Sequence, residues 1–64
     1  MPTIGDNVTI CANAMVLGDV VISNNVVIGP GAVVVHNVPA DCTVIGNPAF
    51  IVKMNGKKVN IKLY

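Results

Sequence analysis

The chain has 64 residues and a formal net charge of +1, so it has room for one domain at most. Hydrophobic residues make up 53% of it and aromatic residues only 3%, which favours a core of aliphatic sheet layers over a globular aromatic core. A chain this short buries only about 60% of the surface that its unfolded form exposes. It is therefore expected to be marginally stable alone.

Charge and cysteine spacing exclude several classes of protein. The acids all precede Val52 and the four lysines all follow it, but lysines without arginine or interleaved aromatics do not predict nucleic-acid binding, and a solvated tail is the favoured interpretation. Cys11 and Cys42 show no CxxC or Cys/His spacing, so we expect free thiols and no metal site. No apolar run is long enough to span a bilayer and no leader follows Met1, so we expect a soluble, cytoplasmic protein.

A six-residue repeat dominates the chain from Ile4 onwards. Every sixth residue is aliphatic, and three positions after each one stands a residue that tolerates the left-handed conformation of a tight turn. The aliphatic series is Ile4, Ile10, Val16, Ile22, Ile28 and Val34, and the turn series is Asn7, Asn13, Asp19, Asn25, Gly31 and Asn37. Each hexad therefore predicts a short strand with an inward aliphatic side chain and its own corner.

Three such strands close a triangle, and hexapeptide repeats are a signature of the parallel β-helix. We predict about two coils in residues 1–39, a closing coil in residues 40–53, and a basic tail or hairpin in residues 54–64. Asn7, Asn13, Asn25 and Asn37 are expected to take positive φ. A β-sandwich is the alternative, but it requires longer strands between the turns.

The end of the repeat carries its own signals. Pro39 removes a backbone donor where strand pairing would continue. Thr43 to Ile45 and Phe50 to Val52 each predict a short strand, on either side of the Gly46-Asn47-Pro48 turn. Asn55-Gly56 is a type I′ hairpin signal between extended segments.

Three segments carry a resemblance to a known family: Pro2 to Ile10, Val27 to Val34, and Val38-Pro39 together with Val44 to Ala49. They resemble the end of hexapeptide-repeat acyltransferases, with serine O-acetyltransferases closest and sugar O-acetyltransferases second. The Gly-Asn-Pro-Ala element is the most specific part. The resemblance implies an all-β, left-handed parallel β-helix that assembles as a homotrimer and binds acetyl-CoA along the groove between subunits, without a metal.

The resemblance also implies where the chemistry lies. In that family a histidine directly before the Pro-x-Ile sequence acts as general base on the acceptor hydroxyl, and here that position is Met1. The chain thus offers no catalytic residue. We expect part of a longer acetyl-CoA-dependent O-acetyltransferase, inactive alone, that acts on L-serine in cysteine biosynthesis. A sugar O-acetyltransferase and a non-catalytic trimerisation cap remain alternatives.

The resemblance also implies which residues contact coenzyme A, and more of these positions than of the catalytic ones lie within the chain. It places them at Ala12, Pro30, Val35, His36, Phe50 and Lys53. Lys53 keeps a cation that can meet a phosphate, whereas Pro30 stands where a small residue is usual and Phe50 where Arg or Lys is common. His36, the single histidine, is expected to project into solvent.

Overall fold

The computed structural model describes residues 2–62, which fold as strands joined by turns, with no helix among them that could cross a membrane. The first six strands have two residues each, and the last three are longer. The strands are β1 Thr3–Ile4, β2 Thr9–Ile10, β3 Met15–Val16, β4 Val21–Ile22, β5 Val27–Ile28, β6 Val33–Val34, β7 Cys42–Ile45, β8 Phe50–Met54 and β9 Lys57–Lys62.

The first six strands form two triangular coils. β1 pairs with β4, β2 with β5 and β3 with β6, always in parallel, so that Thr3 lies beside Val21 and Thr9 beside Val27. We call β1–β3 the first coil and β4–β6 the second coil, and the three strand pairs are the first, second and third faces. This is the parallel β-helix that the six-residue repeat predicts.

The predicted aliphatic series lines the inside of the coils, although its members are not equally buried. Ile4 stacks on Ile22 and Ile10 on Ile28, in register. The second-coil members Ile22, Ile28 and Val34 are fully buried, while Ile4 and Ile10 are 43% and 46% exposed. Within residues 2–62, the second coil lies between the first coil and the segment after Val34, which covers it through Val38, β7 and the Gly46–Ala49 turn, whereas the first coil contacts only β4–β6.

Tight corners between the strands follow the predicted turn residues in most places. Asn7, Asn13 and Asn25 take φ values of 57°, 61° and 60°, which confirms three of the four predicted left-handed asparagines. At the remaining corner of the first coil the left-handed residue is Gly18, with φ 84°, one place before Asp19. A glycine adopts this conformation without steric cost.

The expectation of positive φ at Asn37 is wrong. Paired positions in the first two coils are 18 residues apart, but Val38 bridges to Ile22 and Thr43 pairs with Val27, two residues short of that spacing. The chain beyond Val34 is therefore no longer in the hexapeptide frame, and Asn37 does not occupy a corner. Its side chain instead accepts a hydrogen bond from the Val21 N–H at 2.8 Å, at the side of the second coil away from β1.

The closing segment folds differently from the predicted third coil. β7 continues the second face in parallel with β5, but the chain then reverses and β8 runs antiparallel to β7. Phe50 to Val52 is thus a strand, yet it does not form another face of the coil. The turn at Gly46–Ala49 instead covers β6 on the third face. The N–H of Val33 donates to Gly46 O at 2.9 Å, and Val33 O accepts from the N–H of Ala49 at 2.9 Å.

A hairpin of β8 and β9 ends the described chain. Asn55 and Gly56 join the strands with φ values of 53° and 79°, the two positive values that the predicted type I′ turn requires. β8 and β9 extend the second face, so one five-stranded sheet runs in the order β2-β5-β7-β8-β9 through the whole molecule. Val59 and Met54 pack against the core from this hairpin.

Candidate functional site

The predicted coenzyme A residues Ala12 and Pro30 lie on equivalent corners of the two coils. Each stands between the second and third faces, and both are exposed. The N–H of Gly31 donates to Ala12 O at 3.0 Å, which fixes one corner directly above the other. Since proline has no N–H, a ligand at this corner can meet Pro30 only through its carbonyl or its ring.

The same edge continues through Gly46 to Phe50. Gly46 follows β7 at the end of the second face, and a methyl group added at its Cα would lie 2.9 Å from Phe50 Cε1. Gly46 also has φ 94°, so both its conformation and its close neighbour require glycine. We call the line formed by the exposed Ala12 and Pro30 and the half-buried Gly46 and Phe50 the corner column.

Close approach of neighbouring coils explains a further glycine beside the corner column. A Cβ at Gly29 would lie 2.7 Å from Ile45 Cγ2 and 3.2 Å from Val44 O, so no side chain fits between β5 and β7 there. Gly29 N donates to Val44 O at 2.8 Å, which holds the two segments at this distance. Sequence reasoning did not single out Gly29. Its position directly before Pro30 in the repeat was the one sequence feature that could have indicated it.

Val35 and His36 follow β6 at the other end of the third face. Val35 is exposed, one coil after the exposed Leu17, and the N–H of Leu17 donates to Val34 O at 2.9 Å. The two side chains therefore form a pair of neighbouring exposed apolar residues at the end of the third face. His36 is exposed at the bend that follows, as the sequence predicts.

Lys53 lies on the second face. It is an exposed residue of β8 whose register partners are Thr43 on β7 and Lys58 on β9. Its sheet borders the corner column along one edge, whereas Val35 and His36 border the third face at the opposite edge. The structure thus brings Ala12 and Pro30 together. Val35 and His36 lie on a second part of the surface, and Lys53 lies on a third.

The two cysteines have different environments, and both are free thiols. Cys42 is buried, and its Sγ donates to Ala40 O at 3.4 Å. Burial raises the pKa of the Cys42 thiol above its ordinary value, and the negative charge of Asp41 raises it further. Such a thiol is a poor nucleophile at neutral pH, because the thiolate is the reactive form. Cys11 is half-buried.

Two further predictions concern the catalytic base and a metal. Met1, the position at which the resemblance places the family's histidine, lies outside the described residues. Within residues 2–62, no three side chains of His, Cys, Asp or Glu are grouped so that they could hold a metal ion. The one imidazole of this part of the chain, His36, lies on the second coil after β6.

The repeat, the coil and its corners define a hexapeptide-repeat protein, and comparison with known families agrees. The chain belongs to the family described as bacterial transferase hexapeptide (six repeats), which matches residues 1–36. It is 50% identical over 58 residues to the serine acetyltransferase of Staphylococcus xylosus, a match that covers 91% of this chain and 27% of that protein. The chain spans about a quarter of the length of the curated relatives it matches.

Solved structures give the same result for the fold. The serine acetyltransferase of Neisseria gonorrhoeae superposes with a TM-score of 0.82 and 48% identity, over 91% of this chain and 22% of that one. A hexapeptide-repeat-containing acetyltransferase from Vibrio cholerae, complexed with acetyl coenzyme A, superposes with a TM-score of 0.82 and 33% identity, over 89% of this chain and 31% of that one. These solved structures are left-handed parallel β-helices, and a coil of the opposite hand would not superpose on them. The predicted left-handed parallel β-helix is therefore confirmed.

Proposed function

We propose that this chain is the coenzyme A-binding end of a cytoplasmic, homotrimeric O-acetyltransferase that transfers an acetyl group from acetyl-CoA to L-serine in cysteine biosynthesis. The observation that carries the proposal is the 50% identity to a serine acetyltransferase over 91% of the chain. The acetyl coenzyme A held by the Vibrio cholerae relative supports the choice of acetyl donor.

The corner column supports the binding of an extended cofactor. Ala12 and Pro30 expose small or rigid side chains at stacked corners, so an elongated ligand can approach the backbone there. Phe50, within the corner column, offers a partly exposed ring, and Lys53 offers an ammonium group on the adjoining second face. An aromatic face suits an adenine ring and a cation suits a phosphate, and coenzyme A carries both groups.

Acetyl transfer also requires a base. The serine hydroxyl attacks the thioester carbonyl, its proton passes to the base, and coenzyme A leaves as the thiol. A thioether at Met1 takes no proton at neutral pH. His36 lies on the second coil, and neighbouring coils are about 4.8 Å apart. This spacing exceeds the roughly 2.6 to 3.2 Å within which a general base must approach its proton, so His36 cannot serve a hydroxyl held at the first coil. We therefore assign the base to a part of the enzyme outside residues 2–62.

Titration calorimetry with coenzyme A tests the cofactor site. Lys53→Ala is expected to weaken binding by a factor of about 1.4 to 5, because one exposed charge pair contributes roughly 0.2 to 1 kcal/mol. Lys57→Ala is the matched control, since Lys57 is an exposed lysine at the hairpin turn, opposite Met54. Equal weakening by both variants would contradict the site. Absence of any coenzyme A binding by the unaltered chain would favour a non-catalytic trimerisation cap.

A thiol-release assay with acetyl-CoA tests the reaction. We expect no turnover from the 64-residue chain alone, and turnover with L-serine once it is joined to the remaining coils of a serine acetyltransferase. Turnover by the short chain that persists in His36→Ala would contradict the assignment of the base. Faster transfer to a sugar hydroxyl than to L-serine by the joined protein would favour the sugar O-acetyltransferase.

A further inference from the structure

The turn that joins β8 to β9 is an open corner on the surface of the protein. Asn55 and Gly56 are both exposed, and a Cβ added at Gly56 would have no other atom within 4 Å. Asn55 has φ 53°, and its own N–H donates to Asp41 O at 2.9 Å. The side-chain amide of Asn55 is therefore followed along the backbone by an exposed N–H group that no side chain of its own residue crowds.

The asparagines at the corners of the coil share the backbone conformation of Asn55 but not its surroundings. Their φ values are also close to 60°, at Asn7, Asn13 and Asn25. Each is followed by a residue with an inward side chain: Val8 and Ala14 pack against the core, and Val26 is fully buried. A rearrangement of the peptide bond after these asparagines would pull that side chain away from the core, so the fold opposes it.

The remaining asparagines are restrained in other ways. Asn24 and Asn37 each accept a backbone N–H on Oδ1, at 2.7 Å and 2.8 Å. Asn47 precedes a proline, which has no N–H. Asn60 lies within β9 and is followed by a β-branched residue. Of the eight asparagines in the sequence, only Asn55 is followed by a glycine.

We propose that Asn55 is a site of spontaneous deamidation. The backbone nitrogen of Gly56 attacks Cγ of Asn55, and the bond from Cγ to the side-chain nitrogen breaks. That nitrogen leaves as ammonia, together with the proton of the Gly56 N–H, and a succinimide ring remains. Water then opens the ring. Cleavage at the side-chain carbonyl leaves an aspartyl linkage, and cleavage at the backbone carbonyl leaves an isoaspartyl linkage. Glycine favours ring closure because it has no Cβ beside the attacking nitrogen.

Both products change the hairpin, but in different ways. Each places a new negative charge beside Lys57, next to the cross-strand pair of Lys53 and Lys58. The aspartyl form keeps the main chain intact and suits a type I′ turn, so β9 should stay paired with β8. The isoaspartyl form lengthens the main chain by a methylene group, so the two positive φ values and the pairing of Met54 with Lys57 are lost. The inference is independent of acetyl transfer.

Digestion after lysine tests the site, because the lysines divide the asparagines among separate peptides. Residues 54–57 contain Asn55 alone, and the other asparagines fall in residues 1–53 and 59–62. The chain is incubated at mildly alkaline pH, which helps the attacking nitrogen to lose its proton, and an unincubated sample gives the starting masses. Mass spectrometry should show residues 54–57 gaining the difference between an amide and an acid, as two chromatographic products, while the other peptides keep their masses. No gain in residues 54–57, or an equal gain in residues 1–53, would overturn the proposal.

Two variants and hydrogen exchange test the consequence for the hairpin. Asn55→Gly is the matched control, because glycine adopts the positive φ of this turn but has no amide to lose, so its residues 54–57 should keep their mass. Asn55→Asp supplies the new charge without the longer main chain. Ion-exchange chromatography isolates the isoaspartyl form, whose β9 amides should lose protection from exchange, whereas those of Asn55→Asp should keep it. Equal protection in both would overturn the proposed opening of the hairpin.

Discussion

Replacement of Ile28 by alanine should come close to unfolding the protein. Ile28 is fully buried, and its register partners are Ile10 in the first coil and Val44 on β7. An Ile→Ala change at a buried site costs roughly 2 to 5 kcal/mol, because it removes apolar contacts and leaves a cavity. A chain of this length has a free energy of unfolding of about 3 to 10 kcal/mol, at roughly 0.05 to 0.15 kcal/mol per residue.

The neighbouring residue of the same strand provides the control. Val27 points to the outer face of β5 and is 38% exposed. We expect Val27→Ala to cost less than about 1 kcal/mol, mostly through the lower β-propensity of alanine. Ile28→Val removes a single methylene group and should cost about 0.5 to 1.5 kcal/mol, so it remains measurable if Ile28→Ala does not fold.

Urea denaturation followed by far-UV circular dichroism measures these differences. The protein concentration must be held constant, because association stabilises the folded state. The expected order of midpoints is Val27→Ala highest, Ile28→Val close to it or lower, and Ile28→Ala lowest. If Ile28→Ala loses no more stability than Val27→Ala, then the inward stack through Ile10, Ile28 and Val44 is wrong.

Two further predictions concern a corner and a thiol. Because Asn25 has φ 60°, Asn25→Ala should lower the free energy of unfolding by about 1 kcal/mol, whereas Asn25→Gly should not. Equal urea midpoints for these two variants would contradict the strained corner. Because the pKa of the Cys42 thiol is raised in the folded state, the unfolded chain ionises first, so stability should decline as pH rises above about 8.5. Cys42→Ala should lessen this decline in denaturation curves measured between pH 7 and pH 10, and an unchanged slope would refute it.

Most of the coil could be predicted because each hexad repeats the same local constraint. Asn7, Asn13 and Asn25 each stand three places after an inward aliphatic residue, and each forms a corner with positive φ. Asn37 satisfies the same local rule, but the spacing from the second coil to the residues paired with it, Ile22 to Val38 and Val27 to Thr43, is two residues shorter than the spacing between the first two coils. The spacing between coils is not encoded in any one hexad, so a local pattern does not reveal where it changes.

The direction of β8 was beyond sequence reasoning for a similar reason. The apolar residues Phe50 to Val52 predict a strand equally well whether it runs parallel or antiparallel to β7. Of the candidate site, the stacking of Ala12 over Pro30 follows from their spacing, whereas the position of Lys53 depends on that reversal. The roles of these residues toward coenzyme A stay predictions.

The five-stranded second face restricts how this protein can change in length. A full coil of 18 residues inserted between β4 and β5 would return the chain to the same face and leave the hairpin attached to it. A single hexad inserted there would turn everything beyond it by one third of a revolution, and the hairpin would then continue a different face from β2. Variation in length should therefore be tolerated in whole coils, so that natural or engineered lengthening of this solenoid proceeds in steps of three hexads.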